Sequence, residues 1–235
     1  MNIGTICRTR WAVAPPLLLT LAVSILLLAG CAGQPAPRPP PAPPAASQRL
    51  IQTIERENGP QAAARVRYWF ALIEQGKSAP DAERLRLANN FFNAARFTTD
   101  MEVWQQQDYW ATPIEFLIKD AGDCEEFAIA KYFTLLRMGI GEDAMRITYV
   151  RAQTLHQPHM VLAWYPAPDA EPLILDNIEP RILPAGERPD LTPVYSFNGT
   201  TLWLARTRKD QVVSGSANQL EQWRELQRRL SALLR

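Results

Sequence analysis

Between residues 123 and 138 the chain is apolar almost all round. Phe127, Ala128, Ile129, Ala130, Tyr132, Phe133, Leu135 and Leu136 leave little polar surface on a helix. A helix of that composition is largely buried, so the rest of the fold has to be arranged to cover it. Asp123 and Glu126 stand at the spacing of an acidic capping box at its start, and Gly139 and Gly141 end it. The residue that opens it is a cysteine, Cys124.

The flanking patterns predict what does the covering. Downstream, residues 146–152, 160–165 and 172–175 read as strands, and the middle one, apolar on both faces, is expected to be central in its sheet. Residues 194–205, broken by Asn198-Gly199, read as a hairpin with a type I′ turn. The tail from 217 to 235 is an amphipathic helix with Leu220, Trp223, Leu226, Leu230 and Leu233 on one side. Upstream, residues 47–95 are helical: Leu50, Ile51 and Ile54, then Ala63, Val66, Trp69, Phe70 and Ile73, recur at three and four. Gly76 and Pro80 interrupt, and Asp81 is placed to cap a second helix. Residues 98–121 read as a packed, aromatic loop with a short helix at 113–118. The fold class is therefore α+β, a buried helix beginning at a cysteine and packed on an antiparallel sheet, with a helical N-terminal lobe.

The ends set the boundaries. Arg8 and Arg10 precede an apolar run at 17–28, and Leu28-Ala29-Gly30-Cys31 resembles a bacterial lipobox. The run is short for a bilayer span and no basic stop-transfer cluster follows it. Use of the lipobox makes Cys31 an acylated first residue, whereas ordinary cleavage after Ala32 discards it. Either way, Cys124 is the one cysteine left in the folded chain. Residues 34–46 hold seven prolines and form an extended spacer. The expected organisation is a signal peptide and lipobox over 1–31, a linker over 32–46, a helical lobe over 47–121 and a catalytic core over 122–235. The 25 basic and 24 acidic side chains give +1, and removal of Arg8 and Arg10 from an acid-free leader gives −1. A near-neutral chain lacks the basic face that nucleic-acid binding requires.

A lone thiol at a helix start, with histidine elsewhere, is a candidate nucleophile. The two histidines are His156, in a polar loop, and His159, at the start of the interior strand. Asp176 ends the next strand 17 residues later, so two strands joined by a turn can set it beside His159. Cys124, His159 and Asp176 then form nucleophile, base and orienter. Asp176 also suits a turn with Asn177. Asp123, Glu125 and Glu126 crowd the thiol with negative charge, which raises its pKa. Two roles suit these acids: capping the helix, or holding a hard cation such as calcium that would restore the thiolate.

These same residues resemble a known family. The run Gly122-Asp123-Cys124-Glu125-Glu126-Phe127-Ala128-Ile129-Ala130, then His159-Met160-Val161-Leu162-Ala163, Leu175-Asp176-Asn177 and residues 188–198, is similar to the bacterial transglutaminase-like cysteine proteinases of the LapG type. The resemblance implies a papain/transglutaminase-like core, Cys124 as nucleophile, His159 as general base and Asp176 as its orienter. It further implies a calcium site drawn from Asp123, Glu125 and Glu126, without excluding their capping role. The implied activity is periplasmic cleavage of the N-terminal region of a large surface adhesin, releasing cells from biofilm. The implied partner is an inner-membrane cyclic di-GMP receptor of the LapD type. Anchoring through Cys31, at the outer membrane because Ala32 follows, sets this chain apart from a soluble periplasmic relative. A transglutaminase-type acyltransferase and a non-catalytic binding module are the alternatives.

Overall fold

The computed structural model describes residues 45–153, 157–205 and 211–233. The leader, Cys31, nearly all of the proline spacer and His156 lie outside the described residues.

Helices α1 (Ala45–Asn58), α2 (Pro60–Lys77) and α3 (Asp81–Phe92) open the described chain. Sequence periodicity runs through the first two as if they were one. The break falls at Gly59, whose φ of 88° suits only glycine, with Pro60 starting the next helix where its missing N–H costs nothing. Asp81 is the first helical residue of α3 rather than its cap, which is Pro80. Next come β1 (Arg96–Phe97), α4 (Asp100–Trp104), α5 (Pro113–Lys119) and β2 (Ala121–Gly122). Thr112 and Glu115 form a capping box on α5. The two-residue strands β1 and β2 pair in parallel. Such short pieces leave no periodic trace in the sequence.

The long apolar helix is α6 (Cys124–Arg137), and Gly139 follows it with φ 97°. After it the sheet is built from β3 (Met145–Ala152), β4 (Gln157–Trp164), β5 (Leu173–Leu175), β6 (Leu183–Pro184), β7 (Leu191–Phe197), β8 (Thr201–Ala205) and β9 (Gln211–Ser216), followed by α7 (Glu221–Leu233). Its order is β6-β5-β4-β3-β7-β8-β9, and every neighbouring pair is antiparallel. Strand β4 is interior, though β3 occupies the middle place. The β7–β8 connection is not a type I′ turn, because neither Asn198 nor Gly199 has the positive φ that type requires. Instead, Asn198 Oδ1 accepts from the N–H groups of Thr200 and Thr201 at 3.0 and 2.8 Å, a side-chain cap that closes the loop.

Helix α6 belongs to two cores. Ala128, Ile129, Tyr132 and Leu135 pack with Ile147, Met160, Leu162, Leu175 and Phe197 of the sheet and Trp223 of α7. Phe127 and Ala130 pack the other way, against Ile51, Val66, Trp69, Phe92 and Phe116 of the helical lobe. Polar ties fix its rotation. Trp69 Nε1 donates to Thr134 Oγ1 at 2.7 Å, and the Tyr132 hydroxyl accepts from the Gly199 N–H at 2.8 Å. The N-terminus of α6 is thus held at a defined place at the end of β4.

Candidate active site

Cys124 is partly buried at the first position of α6. The capping box expected from the sequence is formed: the Asp123 side chain accepts from the Glu125 and Glu126 N–H groups, and Glu126 accepts from the Asp123 N–H at 3.0 Å. Those contacts occupy the Glu125 and Glu126 amides, and among the described residues no partner takes the Cys124 N–H at the positive end of the helix. The thiol donates to Glu125 Oε2 at 2.9 Å. Burial first, then the charge and hydrogen bond of Glu125 and the charge of Asp123, push its pKa well up, against the opposing Met160 N–H. That last contact places Sγ against the backbone of β4, one residue past His159.

His159 is buried on β4, and Asp176 directly follows β5. Leu162 pairs with Leu175, so continuing the register sets Asp176 across from Val161 and diagonal to His159 on one face. The side chains meet there, with His159 Nε2 2.8 Å from Asp176 Oδ1. Oδ1 also accepts from the Ile178 N–H at 3.0 Å, so Asp176 caps its turn and holds the histidine with the same oxygen. Asn93 of α3 fixes the backbone, donating to the Asp176 carbonyl at 2.8 Å. Burial would raise this carboxyl, but the contacts from His159, Ile178 and Arg188 hold it at about 2. An ionised Asp176 can only accept, so Nε2 carries the imidazole proton and Nδ1 is the nitrogen left to take one from a thiol.

Arg188 was not a site candidate in the sequence. It is 7% exposed, and its Nη2 lies 2.9 Å from Asp176 Oδ2 while Nε and Nη2 grip Asp190 at 3.0 and 2.7 Å. A polar loop carries no periodic signal to mark such a residue.

The acids form two overlapping groups. Asp123 and Glu125 stand beside the thiol, and Asp123 also converges with Asp100 and Glu126, ligand atoms of each group lying within 4.8 Å of one another. Asp100 is brought there by the β1–β2 pairing and is likewise missing from the sequence reading. Its Oδ2 accepts from the Tyr109 N–H at 2.6 Å, while Oδ1 is buried with no hydrogen-bond partner among the described residues. Burial foremost raises its carboxyl to about 6. Asp123 is also raised, by burial and then by Glu125. Glu126 is fully buried, and its Oε1 accepts from the Ala111 N–H at 2.8 Å, so it serves the helix start whatever else it binds. Buried carboxylates that raise one another, with one oxygen unpaired, fit a hard cation bound through oxygen.

A family model described as bacterial transglutaminase-like cysteine proteinase matches residues 73–190. Solved structures of Legionella pneumophila LapG are similar over most of the chain. The EGTA-treated form shows 42% identity over 80% of this chain and 99% of that one, with a TM-score of 0.70. The calcium-bound form shows 43% identity over 78% and 98%, with a TM-score of 0.67. No curated protein matches the sequence.

Proposed function

The chain belongs to the bacterial transglutaminase-like cysteine proteinases, and from that premise we propose a calcium-dependent endopeptidase that cuts the N-terminal region of a large surface adhesin. The observation that carries this is the likeness to Legionella LapG, which spans 99% of that chain at 42% identity. The chain is a cysteine peptidase, and its residues supply the chemistry. Cys124 Sγ passes its proton to His159 Nδ1 and attacks the scissile carbonyl carbon, forming a C–S bond. The oxyanion lies at the start of α6, where the Cys124 N–H is the available donor. His159 then protonates the leaving amine, the C–N bond breaks, and water hydrolyses the thioester with His159 as base. Asp176, backed by Arg188, keeps the ring in the tautomer each transfer needs.

Asp100, Asp123, Glu125 and Glu126 are the residues that would hold calcium. Bound calcium would neutralise the charges that oppose a Cys124 thiolate. The calcium-bound Legionella LapG supports that assignment. The resemblance and the lipobox support the remaining proposals: a periplasmic location, an outer-membrane anchor through Cys31, and sequestration by an inner-membrane cyclic di-GMP receptor. The test is incubation of the chain, in calcium, with the N-terminal fragment of a giant repeat adhesin encoded in the same genome. Two fragments and a new amino terminus are expected, and none with Cys124→Ala. Incorporation of an added amine without new termini would replace the peptidase reading with a transferase.

A further inference from the structure

Lys131 has no part in the site as described, yet it is fully buried in the middle of α6. Its Nζ makes no hydrogen bond among the described residues. It stands seven residues after Cys124, two turns along the same helix face, and Asp176 is the charge that acts on it. A lone amine in a dry interior is costly, and a methionine would fill the space without that cost. Packing therefore gives no reason for a lysine here. The site does.

The groups that face the His159–Asp176 pair are few. Lys131 and Cys124 come from α6, with Glu125 beside the thiol. Arg188 comes from the segment before β7 and is shared with Asp190. The neutral amide of Asn93, the C-cap of α3, bonds the Asp176 backbone carbonyl, and that of Asn89 bonds the Pro180 carbonyl. Arg188 is thus divided between two carboxylates, and among the described residues Lys131 is a further cation coupled to the Asp176 charge.

We propose that Lys131 is a positioning residue for the peptidase reaction, its amine acting with Arg188 to fix the Asp176 carboxylate and, through it, the His159 ring as acceptor of the Cys124 proton. The inference rests on the triad reading above. Burial lowers the pKa of Lys131 to about 7, against the opposing pull of the Asp176 charge.

The test uses Lys131→Met, which keeps the volume, and Lys131→Gln, which keeps a polar end without charge, in the full chain with calcium present. Two readouts need no substrate: thermal unfolding, and the His159 ring-nitrogen shifts by NMR, which report the tautomer. With only two histidines in the chain, the His159 signals are assigned with His156→Gln. Lys131→Met is expected to melt higher than wild type. Both variants should also populate the Nδ1-protonated tautomer of His159, seen as averaged ring-nitrogen shifts where wild type shows Nε2 protonated. If either variant folds and leaves the His159 ring-nitrogen shifts unchanged, Lys131 is a packed residue only. A failure to cleave any adhesin fragment would count against the proposed substrate, not against these readouts.

Discussion

Asp176 makes the pH dependence of folding a probe of the site. Burial alone would raise this carboxyl, yet its contacts hold it at about 2, below the ordinary 3.8. A group whose folded pKa is depressed adds stability that is fully present above the unfolded value and is lost as pH falls through the folded one. For Asp176 that window runs from about pH 4 down to about pH 2. At about 1.4 kcal/mol per unit, the depression corresponds to roughly 2–3 kcal/mol. With the residue 1% exposed, solvent screening takes little from that figure. Asp176→Asn keeps the shape and removes the titration. Urea unfolding of both proteins at steps from pH 6 to pH 2 gives the gap between their stabilities, in which the other carboxyls largely cancel. The gap should shrink by roughly 2 kcal/mol across the window. A gap that stays flat would refute the account of Asp176 as a carboxylate held ionised by His159 and Arg188.

Three further outcomes are expected. A Cβ at Gly122 would come within 2.9 Å of Glu126 Cβ and Cγ, on a side chain fixed at both oxygens, so Gly122→Ala should cost roughly 1–3 kcal/mol in thermal unfolding and reduce cleavage. Chelation of calcium should suppress cleavage reversibly, with magnesium a poor replacement, and Asp100→Ala should reproduce the loss with Cys124, His159 and Asp176 intact; full activity in excess chelator removes the calcium role. Cys31→Ser should shift the protein from the membrane fraction to the soluble periplasm, or block maturation, as read by fractionation.

The sequence made α6 legible because a nearly all-round apolar run with caps at both ends admits few other structures. His159 and Asp176 were legible because their strands are short, adjacent and apolar on both faces. Strand β9 was not, since Gln211–Ser216 carries neither alternation nor many β-formers at the edge of the sheet. Asp100 and Arg188 stayed hidden for another reason. Asp100 opens the short helix α4 inside a stretch that reads as a packed aromatic loop, and Arg188 lies in a polar turn; long-range contacts bury each beside the site.

Because α6 completes the helical core with Phe127 and Ala130, the order of synthesis matters. Helices α1, α2, α3 and α5 precede it in the chain, and their Ile51, Val66, Trp69 and Phe116 lack part of their core until Phe127 and Ala130 join them. A nascent chain ending near residue 121 is therefore an apolar, chaperone-binding species rather than a folded lobe. The catalytic helix is then the keystone of assembly as well as the bearer of the nucleophile, and a lesion in its body should reach the ribosome-bound chain before it reaches the enzyme.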